Sequence, residues 1–82
     1  MSQFTAKVKV MLKRAVLDPQ GKAVLGSLHA LSFTGVSEVR VGKFIKLELE
    51  APSRGEAEAQ VKVMSQKLLS NPVIEDFEIE IS

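Results

Sequence analysis

The sequence predicts an α+β fold in which two helices cover one face of a four-stranded antiparallel sheet. Three observations carry that reading. Apolar side chains alternate with polar ones over Phe4–Leu12 and again over Phe77–Ile81, the period-two signal of half-buried strands. Two segments between them, opening at Asp18-Pro19 and at Ser53, pair a helix cap with apolar residues spaced three and four apart. A Gly42-Lys43 pair sits midway through a further apolar stretch and suits a tight hairpin.

The first strand places Phe4, Ala6, Val8, Val10 and Leu12 on one face and Thr5, Lys7, Lys9, Met11 and Lys13 on the other. Asp18 is the expected N-cap of the first helix, and Pro19 fits its first position, where a missing N–H costs nothing. Gln20, Val24, Leu28 and Leu31 form its core stripe, and the helix stops before Gly35. Val36 to Ala51 reads as two strands around Gly42-Lys43. A two-residue turn sets Val41 opposite Phe44 and leaves Val39, Val41 and Phe44 as an apolar patch on the far face. A three-residue loop from Gly42 to Phe44 instead aligns Val41 with Ile45 and Val39 with Leu47. One residue of slip reverses a strand's faces, and both registers stay open. The second helix opens on Ser53-Arg54-Gly55-Glu56, which has capping-box spacing. Ala57, Val61, Met64 and Leu68 form its core stripe, and Asn71-Pro72 closes it, with Asn71 as a left-handed cap. Val73 to Ile81 is the last strand. Right-handed crossovers put the first and third strands at the centre, the ferredoxin-like βαββαβ sandwich.

Eighty-two residues make a single domain, residues 1–82. Hydrophobic residues are 45% of the chain and charged residues 26%, a globular composition. A core of this size supplies only about 3–5 kcal/mol unless something staples it. With no cysteine there is neither a disulfide nor a thiolate zinc site, which leaves oligomerisation. Eleven basic against ten acidic side chains give a net charge of +1, which argues against electrostatic binding to nucleic acid. Positions 1–20 hold no apolar run long enough for a signal segment or a membrane span. A cytoplasmic chain is the expectation.

No catalytic constellation emerges. The single histidine, His29, lies about 140° around its helix from Val24, on the solvent side, with no triad partners. Asp18 and Ser53 are explained by capping. No phosphate-binding G-x-x-x-x-G-K-[ST] loop occurs, and the five glycines are dispersed. Glu48, Glu50, Glu78 and Glu80 recur two apart on strands, but Lys7, Lys9 and Lys13 face the same side, so cross-strand charge pairing explains them better than a metal. That face also lacks the aromatic rings with which an RNA-recognition sheet stacks bases. Leu25, Val63, Leu69 and Met11 lie off the expected core and, with the patch at 39, 41 and 44, mark a surface that needs a cover. The chain reads as a binding or assembly subunit without cofactor or metal. A small-molecule-binding regulatory domain on the same fold is the alternative.

Three stretches then carry a resemblance that runs essentially end to end: Val16-Leu17-Asp18-Pro19-Gln20-Gly21-Lys22, Val39-Arg40-Val41-Gly42-Lys43-Phe44, and Leu68-Leu69-Ser70-Asn71-Pro72-Val73-Ile74-Glu75-Asp76-Phe77. They resemble the PurS family, the small subunit of phosphoribosylformylglycinamidine synthase in purine biosynthesis. Departures at Ser70, Phe44 and Phe77 are minor. The resemblance implies a non-catalytic subunit, with no activity alone, of an ATP- and glutamine-dependent C–N ligase. It implies a homodimer docked between a glutaminase subunit that releases ammonia and a large synthetase subunit that uses it, helping the ammonia to pass. The expected contact residues are Leu17, Asp18, Pro19 and Gln20 in the first loop and Arg40, Gly42 and Lys43 at the hairpin tip. Turn and cap chemistry explains the same residues about as well. The short chain, with no staple of its own, independently favours a homodimer.

Overall fold

Alternation from Phe4 to Val10 sits at the middle of β1 (Ser2–Leu12), whose eleven residues make it the longest strand of the chain, about 36 Å at the usual rise. In the computed structural model, which describes residues 1–82, β1 is flanked by β2 (Gly42–Ala51) and β3 (Glu75–Ile81), both antiparallel, in the order β2-β1-β3. Two helices, α1 (Pro19–Ala30) and α2 (Arg54–Met64), complete the fold, and a π-helical turn, Ser65–Leu69, continues α2. Register places Val8 opposite Ile45 and Ile79, and Ala6 opposite Leu47 and Ile81, so the apolar sets of all three strands share one face. Ala57 and Val61 of α2 press on that face, and Ala6, Val8, Val10, Ala51, Ala57 and Val61 are fully buried.

The sheet has three strands rather than the expected four, and only the first is central. Residues Val36–Val41, expected to be a strand, form none. Their polar groups are engaged elsewhere. The Val41 N–H donates to Asp18 Oδ2 at 2.9 Å, the Val36 carbonyl accepts from His29 Nε2 at 2.8 Å, and Arg40 donates back to the Leu12 and Lys13 carbonyls. A ladder on the outer edge of β2 would have to break these contacts. Neither hairpin register forms, because Gly42 starts β2 opposite Met11. A Cβ at Gly42 would lie 2.4 Å from Val10 O and 2.1 Å from Met11 Sδ, so only glycine fits that start.

The second correction concerns α1. It does not pack on the sheet, and its only buried residue is Gly21. Val24 and Leu31, expected in the core, are exposed, Leu31 by 67%. The molecule is therefore long, 52 × 24 × 14 Å, with a radius of gyration of 16.4 Å, against about 12 Å for a compact chain of this length. The helix ends on a Schellman motif. Phe33 N–H donates to Leu28 O at 2.9 Å and Ser32 N–H to His29 O at 3.0 Å, with Ser32 in the left-handed region at φ 76°.

The caps form as expected at both helix starts: Asp18 Oδ1 accepts from Gly21 N–H at 2.9 Å, and Ser53 Oγ from Glu56 N–H at 3.2 Å. The end of α2 departs from expectation. Its final turn is π-helical, with Ser70 N–H donating to Ser65 O, five residues back. One extra residue in the turn rotates everything after Met64, so Leu69 packs on the core while Leu68 is 82% exposed. Ser65 and Ser70 fill the buried bend, donating to Val61 O and Ser65 O. Asn71 is not a left-handed cap. Its side chain accepts from Val73 N–H at 3.1 Å, closing a turn into β3.

This geometry separates two adjacent leucines. Leu69→Ala is expected to cost about 2 kcal/mol of stability, and Leu68→Ala to stay within about 0.5 kcal/mol of the parent. Urea unfolding of the two variants measures both. Equal losses, or the reverse order, would mean that α2 continues as an ordinary α-helix.

Candidate partner interface

The chain leaves β1 at a sharp corner. Lys13 N–H donates to Ile74 O at 2.8 Å, and its ammonium reaches Asp76 at 2.5 Å. A turn closed by Val16 N–H on Lys13 O then delivers Asp18 to the root of α1. Asp18 is 7% exposed and does two things at once: one carboxylate oxygen caps α1 through Gly21 N–H, and the other takes Val41 N–H from the incoming β2 segment. The Val41 bond, then the Gly21 bond, hold this carboxyl below the ordinary carboxylate range, with the Arg40 guanidinium adding a smaller push in the same direction. Gly21 is required here, since a Cβ would lie 2.3 Å from Val39 O. Arg40 completes the root with its bonds to Leu12 O and Lys13 O, at 2.9 and 3.0 Å. Helix α1 therefore projects as an arm from a clamped base.

All seven expected contact residues come together at this end of the sheet, in two roles. Asp18, Arg40 and Gly42 are structural, occupied by the contacts just described. Leu17, Pro19, Gln20 and Lys43 are exposed, Leu17 by 65%, and Lys43 Nζ lies 3.8 Å from Glu75. Between the corner and residues 37–40 runs an open crevice of about 400 Å³, with Val16, Leu17, Leu25 and Val39 as apolar wall and Arg14, Lys22 and Glu38 on the rim. An apolar floor with a charged rim suits docking of another polypeptide; it offers no nucleophile beside a base.

Sequence reasoning missed the arm itself. Val24, Leu28 and Leu31 read as core residues because helical spacing reports an apolar face but not what covers it. On the open face of the sheet, Lys7 and Lys9 stand opposite Glu80 and Glu78 as expected. On the β2 side the expected pairing fails, because Lys7 meets Lys46 and Lys9 meets Phe44. Phe44 and Met11, both exposed, border a hollow of about 410 Å³ with Lys43 and Asp76.

The clamp makes a pH prediction. A carboxyl whose folded pKa is depressed contributes stability that is complete above its unfolded value of about 3.9 and is lost as pH falls through the folded value. Asp18→Asn should therefore lower the urea midpoint most above about pH 4, and the gap from the parent should shrink as pH falls below it. A gap that stays constant through acid would show that the Asp18 charge is not what holds the arm.

Comparison with known proteins fits this architecture. The family model PurS, described as phosphoribosylformylglycinamidine (FGAM) synthase, matches residues 5–82. The PurS subunit of phosphoribosylformylglycinamidine synthase from Bacillus subtilis is 45% identical over 78 residues, covering 95% of this chain and 92% of the relative. That of Synechocystis is 44% identical over 79 residues, covering 96% and 79%. Among solved structures, Bacillus subtilis PurS superposes with a TM-score of 0.87 at 44% identity, covering 96% of this chain and 98% of that one. A chain in the structure of PurLQS from Thermotoga maritima gives 0.92 at 33% identity, with both chains covered completely. On these matches, which run over nearly the whole chain, this protein belongs to the PurS family.

Proposed function

We propose that this chain is the small, non-catalytic subunit of a phosphoribosylformylglycinamidine synthase, working in the cytoplasm in purine biosynthesis. It acts as a homodimer that bridges a glutaminase and a synthetase subunit and supports the passage of ammonia between them. The observation that carries the reading is the arm: α1 stands away from the sheet with exposed apolar residues, Val24 and Leu31, that nothing in the chain covers. A helix in that state is a docking element. The match to a chain of the Thermotoga maritima PurLQS structure supports the same role.

Ammonia is a small base that water protonates and dilutes, so transfer between two active sites needs a closed protein path more than additional acid–base groups. A module without a catalytic constellation, and with exposed docking residues at Leu17, Pro19, Gln20 and Lys43, suits that task. Asp18, Arg40 and Gly42 serve it by fixing where those residues stand.

The test uses Leu31→Glu, which charges the arm at an exposed site and so leaves the fold of the isolated chain intact. Reconstituted with the glutaminase and synthetase, the variant is expected to lose co-purification and to cut glutamine-dependent product formation about tenfold, the effect of losing about 1.4 kcal/mol of docking energy. Product formation from added ammonium should persist. Full glutamine-dependent activity, or an equal fall with both nitrogen donors, would contradict the reading.

A further inference from the structure

Charge is unevenly divided along the chain. Between Lys13 and Lys43 the sequence holds five cations and two carboxylates, and from Phe44 to the end it holds four cations and eight carboxylates. Both carboxylates of the first segment are engaged. Asp18 accepts backbone N–H donors on its two oxygens, and Glu38 lies 3.9 Å from Arg14. Lys13 and Lys43 reach toward Asp76 and Glu75 of β3, and Arg40 turns inward onto the Leu12 and Lys13 carbonyls. That leaves Arg14 and Lys22 as the outward cations, and both border the crevice at the root of α1. The Arg14 side chain is 88% exposed, and Lys22 has no carboxylate within 4 Å.

Lys22 stands against local preference. The opening turn of α1, Pro19 to Lys22, holds no acidic residue, although the partial positive charge of a helix N-terminus favours a carboxylate there and disfavours a lysine. Helix α2 follows the rule, with Glu56 in its first turn. A residue that works against its own helix, on the rim of an open crevice, answers to something outside the helix.

We propose that the crevice receives an apolar segment of a partner subunit flanked by carboxylates, and that Lys22 and Arg14 are the cations that meet those carboxylates. This deepens the assembly reading above and rests on it, by naming the chemistry of the partner at the root of the arm. The floor of Val16, Leu17, Leu25 and Val39 requires an apolar occupant, which a free inorganic anion is not. Cations on a rim stay hydrated, so they act on encounter rate and on choice of partner more than on final affinity. Salt weakens them, because the Debye length falls from about 10 Å at 0.1 M to about 3 Å at 1 M.

The test measures association of the full chain with each partner subunit over a range of salt concentrations, for the parent and for Lys22→Glu, Arg14→Glu and Glu38→Gln. The first places a carboxylate where the helix favours one, and the other two alter exposed side chains, so the fold is preserved. With one of the two subunits, the parent's association rate should fall as salt rises. At low salt Lys22→Glu and Arg14→Glu should each slow association about threefold and flatten its salt dependence, while Glu38→Gln should speed it. Opposite effects from neighbouring rim residues cannot come from a general loss of structure. Association indifferent to salt and to all three variants, with Leu31→Glu still losing co-purification, would overturn the proposal and leave the assembly reading in place. A parent that binds neither subunit would overturn both. A parent dimer that comes apart in Lys22→Glu would show a second copy in the crevice and would also overturn the proposal.

Discussion

Strand β1 carries both ladders of the sheet, and the rest of the chain is arranged by that demand. Its Ala6, Val8 and Val10 are fully buried; Ala6 and Val8 have apolar partners on both sides, and Val10 stands between Lys43 and Phe77. With one strand serving as the only centre, the other two become edges. With α2 as the only helix on the sheet, half of the inner face along β2 is thinly covered. Seven buried apolar residues make a small interior for 82 residues. The chain can afford an extended shape only if other surfaces bury what it leaves open.

The arm is the counterpart of that deficit. Asp18 spends one oxygen on the helix start and the other on Val41, and Arg40 grips the end of β1 from the opposite side. These are charge-assisted contacts, stronger than neutral hydrogen bonds, and two of the three join segments more than 20 positions apart. They explain how α1 keeps its orientation without packing on the sheet. Rigidity has a binding consequence: an apolar helix presented in one orientation loses little entropy on docking, whereas a flexible one must be ordered first.

Much of this was legible in the sequence. Both N-caps, the starts of both helices and the faces of β1 and β3 followed from residue type and spacing, because each depends on neighbours a few positions away. Three features did not. Val36–Val41 has a genuine strand pattern, and it is defeated by side chains from residues 18 and 29 and by its own Arg40. The stripe of α1 is real, yet amphipathic spacing cannot tell a core from an interface. The π turn exchanges Leu68 for Leu69 through a single inserted residue, invisible to a period of 3.6. The Asp18–Val41 bond, which spans 23 positions, brings the two candidate segments, 17–20 and 40–43, to one end of the sheet, and neither that meeting nor their division into clamp and exposed surface can be read from local spacing.

The claim beneath this account is that the folded chain depends on association for part of its stability. The most direct measurement is the thermal unfolding midpoint as a function of chain concentration, with mass followed by light scattering. An associating chain gains stability by mass action, so the midpoint should rise steadily over a thousandfold range of concentration, with a dimer mass at its upper end. A midpoint independent of concentration, at monomer mass throughout, would show that the seven buried apolar residues suffice alone and would contradict the account.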